Sequence, residues 1–288
     1  MPLPAPPHDL DAAVTRALDE DVGSGDVTAA LVPVGAPSTA YLITREEAII
    51  CGRPWFDAIF ARLDASIRIQ WHLQEGDRAA ADQRLCTLTG PARPLLTGER
   101  PAINFLQTLS ATATAVRRYV DAVAGTGTAI SDTRKTLPGL RTAQKYAVVC
   151  GGGINHRIGL YDGILIKENH IAAAGGIRNA IARARDLKAG VPLMTEAENL
   201  DEARAALEAD VDLLLVDEFS MEDLREAVAL TRGHRSRGGK TVIEYSGGTH
   251  LDNVRRYAEC GVDRIAIGAI TKHVHAVDLS MRFASQAT

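Results

Sequence analysis

The sequence predicts an α/β protein in two parts, a small α+β domain followed by a parallel α/β barrel-type domain. Three observations carry this. From Thr128 onward, near-continuous apolar runs alternate with amphipathic helical patterns, as parallel βαβ units require. Before that point, residues 38–50 and 66–90 hold short Ile-, Val-, Leu- and Thr-rich segments broken by turn signals such as Glu75-Gly76-Asp77, the pattern of an antiparallel sheet. Finally, the late apolar runs end one after another in charged or glycine-rich residues, and the C-terminal strand ends of a barrel are where chemistry gathers.

In chain order, residues 1–8 form a proline-rich leader expected to lie loose on the surface. Leu10, Ala13, Val14, Ala17 and Leu18 repeat at helical spacing over Asp9–Asp19. The acidic turn Asp19–Thr28 does not match the spacing of a calcium loop and reads as a capped connection. Pro54–Leu63 reads as a helix, and Trp55 and Trp71 as core or interface aromatics. Thr97-Gly98-Glu99-Arg100-Pro101 breaks the apolar pattern, so a long helix is expected over Ala102–Ala124, with Arg100 just ahead of it. Strands follow at Ala129–Ser131, Ile164–Ile166, Pro192–Thr195, Asp212–Val216, Thr241–Ile243 and Arg264–Ile267. Helices are expected at Ile177–Leu187, Leu200–Leu207, Met221–Leu230 and Leu251–Cys260.

Composition narrows the function. A chain of 288 residues with 46% hydrophobic content builds one large or two modest domains. There is no run of the roughly 18 apolar residues a membrane span needs, and the N-terminus reads as no signal peptide. Cys51, Cys86, Cys150 and Cys260 are scattered, which fits reduced thiols in a cytoplasmic protein rather than a zinc site or disulfide framework. A net charge of −4 without a basic tail makes nucleic acid an improbable partner.

Against that acidic background, Asp132–His170 is a basic island. Arg134, Lys135, Arg141, Lys145, Arg157 and Lys167 outnumber Asp132, Asp162 and Glu168, and Gly151-Gly152-Gly153 punctuates the stretch. Such an island suits a small multiply anionic ligand, or is simply a solvated surface. Arg134, Lys135, Arg157 and Lys167 suit a planar dicarboxylate, because guanidinium groups bind carboxylates bidentately. His156 is placed to donate a hydrogen bond or to adjust protonation there. Glu196 and Asp217, on successive strand ends, either hold Mg²⁺, accept hydrogen bonds from sugar hydroxyls, or act as ordinary helix-capping acids. Ser246-Gly247-Gly248 and Gly268 offer unhindered backbone N–H groups for a phosphate, although a plain turn fits them as well. No Ser-His-Asp or Cys-His arrangement points to a protein nucleophile.

Four blocks, Asp132–Arg141, Lys145–Val148, Cys150–Leu160 and Leu165–His170, resemble the quinolinate phosphoribosyltransferase family. The likeness extends to Glu20–Thr28, Leu96–Arg100 through Leu109-Ser110, and Gly268–Thr271. It implies an N-terminal α/β sandwich domain (residues 1–110) and an incomplete α/β barrel of the type II phosphoribosyltransferase kind (111–272). A tail (273–288) would return to the first domain. The implied reaction joins quinolinate and phosphoribosyl pyrophosphate, giving nicotinate mononucleotide, pyrophosphate and CO₂. By position, Arg134, His156, Arg157 and Lys167 match quinolinate-binding residues, and Lys135 lies between the substrates. Glu196 and Asp217 match the ribose and Mg²⁺ side, while Ser246, Gly247, Gly248 and Gly268 match the 5′-phosphate loop. The resemblance also implies a homodimer in which Arg100 reaches the partner's quinolinate site. Tyr245, Thr249-His250 and Pro101 depart from the family pattern. Two other readings are a relative that uses a different acid and a catalytically idle sensor of either substrate.

Overall fold

The computed structural model describes residues 3–284; Met1–Pro2 of the leader and Ser285–Thr288 of the tail lie outside the described residues. The chain divides into two compact units. The first holds the residues up to Arg117, together with Leu137–Gly152 and the segment from Ile270 on. The second holds Arg118–Thr136 and Gly153–Ala269.

The first unit opens with α1 (Leu10–Val22), followed by β1 (Pro37–Thr44), β2 (Ala48–Ile49), α2 (Arg53–Leu63), β3 (Arg68–Trp71), β4 (Arg78–Ala79) and β5 (Arg84–Pro91). Its main sheet is antiparallel. β1 sits between β5 and the late strand Leu279–Phe283, with Leu42 opposite Cys86 on one side and Met281 on the other. Leu42, Leu88, Phe56, Phe60 and Ile59 are fully buried in one cluster. Each such side chain stabilises the fold by about 1.5–3 kcal/mol. Trp55 stacks on Phe105, and Trp71 meets Phe56 edge-on while its indole N–H reaches Asp57, so both are core aromatics. The expected acidic turn begins later than read, since α1 continues through Val22; beyond it Asp26 accepts backbone N–H bonds from Thr28 and Ala29, the capped connection expected.

The expected break before Ala102 is absent. α3 runs unbroken from Ala92 to Ala122 with Pro101 inside it, so Arg100 lies within the helix rather than ahead of it. The buried stripe Leu95, Ala102, Ile103, Leu106 and Leu109 continues through the proline, and this burial outweighs the one helical hydrogen bond that proline forfeits. Gly98 serves packing rather than a turn. A Cβ there would lie 2.6 Å from Phe60 and 2.8 Å from Leu63.

In the second unit, β6 (Ala129–Ser131) precedes α4 (Arg141–Cys150), which belongs to the first unit. Then come β7 (Ile164–Ile166), α5 (Glu168–Ala174), α6 (Ile177–Asp186), β8 (Leu193–Ala197), α7 (Leu200–Glu208), β9 (Leu213–Asp217), α8 (Met221–Ser236), β10 (Val242–Ser246), α9 (Leu251–Ala258) and β11 (Arg264–Ala266). α10 (Ala269–Lys272), from Ile270 on, and β12 (Leu279–Phe283) return to the first unit. The six strands form one parallel sheet in the order β6-β11-β10-β9-β8-β7. β6 and β7 are its two ends, and a single bridge from Ser131 to Ile154 stands where a closed barrel would pair strands. This is the incomplete barrel expected.

Strand register builds the floor of the site. Leu165, Met194, Leu213 and Val242 align across β7–β10 and, with Leu215, form an apolar cluster. Side chains two residues on share the same face, so Glu196 and Glu244 stand one layer above, and Asp217 and Ser246 one layer higher again.

Candidate active site

That layering sets polar groups on a dry floor at the C-terminal ends of the strands. A cavity of about 370 Å³ opens there. Arg134, Lys135, His156, Arg157, Lys167, Glu196 and Ser246 line it, together with Glu244. Seven residues singled out from sequence therefore meet in one place. Asp217 and Ser246 are register partners at the rim, and Gly268 lies against Lys135, whose Cδ would be 2.9 Å from an added Cβ. The missing side chain at Gly268 gives the lysine its path. Arg100 belongs to the first unit, where it is half-exposed and pairs with Glu99 at 3.1 Å.

The cationic wall is held by backbone. Asp132, fully buried after β6, accepts the His156 backbone N–H at 2.9 Å, fixing the 155–157 loop beside the strand end. Arg157 donates from its guanidinium to the Gly163 carbonyl at 2.8 Å. Burial, and then the neighbouring Arg134, holds the Arg157 guanidinium below its usual range, as expected for two like charges forced together. Lys135 is set by a tight turn in which its N–H reaches the Thr133 hydroxyl at 3.0 Å.

The acids face that wall. Lys167 Nζ lies 2.5 Å from Glu196 Oε2. Burial raises the Glu196 carboxyl above its ordinary range; Lys167 opposes this, and Asp217 and Glu168 add to it. Glu168, Glu196 and Glu198 each bring a carboxylate oxygen within 4.8 Å of the others, an all-oxygen set of the kind a hard divalent cation takes. The capping reading fails for both predicted acids. The N-cap of α7 is Asn199, which accepts from Glu202, and that of α8 is Ser220, which accepts from Asp223. Glu196 and Asp217 are strand residues facing the site.

The late loops are shaped by glycine. Gly247 has φ +118°, and a Cβ there would come within 2.9 Å of the Glu218 backbone. Glu218 itself adopts φ +54° and donates its N–H to the Ser246 carbonyl at 2.9 Å. The loops after β9 and β10 are thus wedged together. α9 is capped by His250 and Asn253, and Tyr245 is buried in a stack with Tyr257.

Three parts of the sequence reading change. Gly151 serves packing in the first unit, since a Cβ would sit 2.6 Å from the Ala113 carbonyl, and Gly152 serves a left-handed φ of +93°. Arg141 and Lys145 belong to the first unit, where Lys145 is buried, and Arg134, Lys135, Arg157 and Lys167 belong to the second. Glu244 had gone unassigned. A carboxylate at the centre of Val242-Ile243-Glu244-Tyr245-Ser246 faces the barrel interior by alternation, the signal that could have found it.

Family models describe both halves of the chain: the quinolinate phosphoribosyl transferase N-terminal domain matches residues 26–110, and the C-terminal domain of the same family matches 112–282. The nicotinate-nucleotide pyrophosphorylase (carboxylating) of Mycobacterium leprae is 39% identical over 283 residues, covering 95% of this chain and 98% of that one. The human protein of that name is 36% identical, covering 98% and 94%. The solved structure of the Francisella tularensis nicotinate-nucleotide pyrophosphorylase superposes with a TM-score of 0.91 at 43% identity, over 96% of this chain and 97% of that one.

Proposed function

The chain belongs to the quinolinate phosphoribosyltransferase family, and on that premise we propose that it transfers phosphoribosyl from phosphoribosyl pyrophosphate to quinolinate with decarboxylation. The products are nicotinate mononucleotide, pyrophosphate and CO₂, a pentosyltransferase step of NAD biosynthesis. The observation that carries this reading is the crowding of Arg134 and Arg157, with Lys135 and Lys167, around one half-enclosed cavity. Unfavourable on their own, these charges become favourable when a dianion enters.

In this reading Arg134, His156, Arg157 and Lys167 hold the two carboxylates and aim the pyridine nitrogen at the ribose. That nitrogen is the nucleophile, which fits a cavity lined by cations and acids rather than by an activated Ser or Cys. Its lone pair forms the bond to C1 as the C1–O bond to pyrophosphate breaks. Lys135, between the substrates, faces the charge growing on the leaving group. Once the nitrogen is quaternary, the adjacent carboxylate leaves as CO₂, its bonding pair stays on the ring carbon, and that carbon takes up a proton. Glu196 and Asp217 serve the ribose side and are the residues that would hold Mg²⁺; Glu196 sits in a close set of hard oxygens with Glu168 and Glu198, which fits such an ion, and Asp217 is near enough to push the Glu196 carboxyl up. Bound there, Mg²⁺ would neutralise pyrophosphate charge. Ser246, Gly247, Gly248 and Gly268 cradle the 5′-phosphate.

The proposal extends to a homodimer that carries Arg100 into the partner's quinolinate site, and to a cytoplasmic location. No helix among the described residues is long and apolar enough to cross a membrane. The test is Mg²⁺-dependent CO₂ release from quinolinate. Release that requires phosphoribosyl pyrophosphate supports the reading, and turnover of nicotinate but not quinolinate overturns it.

A further inference from the structure

Arg157 is set by the loop that follows it. Residues 158–163 turn back from the cationic wall to the start of β7, and one side chain closes the turn. Asp162 accepts the Ile158 N–H through Oδ2 at 2.8 Å and the Gly159 N–H through Oδ1 at 2.9 Å. Its carboxylate plugs the loop with both oxygens. The Tyr161 ring folds over Gly159, where any Cβ would collide with it. At the far end, a Cβ added at Gly163 would lie 2.5 Å from Met194 Cε, so the loop rests on the apolar floor. Leu160 and Tyr161 are exposed, yet the loop that carries them is cross-braced. The Gly163 carbonyl receives the Arg157 guanidinium at 2.8 Å.

A second cavity shows which side of Arg157 this loop serves. It lies at the N-terminal ends of the strands, holds about 490 Å³, and is lined by Asp162, Asp212, Met194 and Arg264. His156 and Arg157 line both cavities, whereas Asp162 lines the lower one and Arg134 the upper. Arg157 therefore spans the floor, with a like charge above and an opposite charge below. Burial and Arg134 press its guanidinium towards the neutral form, and Asp162 opposes them. Asp212, the other acid of the lower cavity, accepts the Leu193 N–H at 2.7 Å.

We propose that Asp162 is a positioning residue: it holds the 158–163 loop shut and, through the Gly163 carbonyl and its own charge, aims Arg157 at a substrate carboxylate. This rests on the quinolinate reading of the upper cavity and deepens it. A counter-charge within the upper lining would compensate Arg157 equally well, but it would repel the incoming dianion. From below the floor, Asp162 steadies the cation and leaves the upper cavity positive. The Gly163 carbonyl fixes the plane of the guanidinium fork and leaves further N–H donors for a bidentate carboxylate. A fork ordered before binding loses less freedom when the substrate arrives.

The test is calorimetric titration of quinolinate, and separately of phosphoribosyl pyrophosphate, into wild type, Asp162→Asn, Arg157→Ala and the double variant. Asparagine keeps an acceptor for the loop N–H groups and removes the charge. Asp162→Asn is expected to weaken quinolinate binding on the order of tenfold, the lower end of the range for one charge-assisted hydrogen bond. Phosphoribosyl pyrophosphate binding should change little. In the Arg157→Ala background the same substitution should cost nothing further, because the residue it acts through is gone. A merely structural role would weaken both substrates, with or without Arg157. Equal losses for the two substrates, or additive effects in the cycle, therefore overturn the proposal. If Asp162→Asn does not fold, Asp162→Glu takes its place; it displaces the charge, and the same coupling to Arg157 is expected. Wild-type protein that fails to bind quinolinate overturns the reading of the cavity and this proposal together. Binding with additive effects overturns the proposal alone.

Discussion

Lys167 and Glu196 form an ion pair across the cavity: the ammonium at the end of β7 lies 2.5 Å from the carboxylate on β8. Under the proposed reading one residue belongs to the dicarboxylate side and the other to the ribose side, so occupancy of one half would be felt at the other. Because the lysine is 43% exposed, solvent screening limits the pair to about 1 kcal/mol. A double-mutant cycle of Lys167→Met and Glu196→Gln, read by urea unfolding, should give a coupling of that size. Additivity would show the pair to be incidental.

Arg134→Ala should weaken quinolinate binding roughly 10- to 100-fold, the value of a charge-assisted bond or two, while leaving phosphoribosyl pyrophosphate binding nearly intact. Relief of the repulsion on Arg157 recovers part of the loss. Calorimetric titration with each substrate separately is the measurement. Equal losses for both would undo the division of the cavity into two halves.

The barrel was legible because its strands are apolar on both faces and its helices on one, a pattern that survives in any single sequence. All six parallel strands lie where the apolar runs put them, and seven predicted site residues share one cavity. Misread were residues whose meaning depends on a distant neighbour. Gly98 and Pro101 read as a helix break because Phe60 and Leu63, against which Gly98 packs, are close only in space. This yields a test. Gly→Ala inside a helix ordinarily stabilises by about 0.5–1 kcal/mol. Gly98→Ala should instead destabilise by about 1–3 kcal/mol through overpacking, as measured by thermal unfolding. A gain in Tm would restore the view of Gly98 as a mere breaker.

Glu75 gives the first unit a pH signature. Its carboxylate caps α2, accepting the Gly52 N–H at 2.6 Å and the Arg53 N–H at 3.2 Å, yet burial raises its pKa above the ordinary value. The folded state thus binds this proton more tightly than the unfolded state. The contribution is fully present below the unfolded carboxylate pKa and is lost as pH rises through the raised folded one. Glu75→Gln should remove that part of the decline. Unfolding free energies of both proteins at pH 4 and pH 7 would show it, and parallel profiles would mean that Glu75 does not titrate as described.

Gly247 and Gly248 separate two kinds of glycine requirement in one turn. Gly248 has φ +40° with open space where a Cβ would stand, so Gly248→Ala faces only the left-handed backbone penalty, about 1 kcal/mol. At Gly247 the same change also drives a methyl group into the Glu218 backbone, and neither loop can yield without moving Ser246. Gly247→Ala should therefore raise the phosphoribosyl pyrophosphate KM well beyond the effect of Gly248→Ala, with quinolinate binding little changed in either. Steady-state kinetics with each substrate varied in turn distinguishes them. Equal effects at both positions would mean that backbone conformation alone, and not the wedge between the two loops, shapes the phosphate turn.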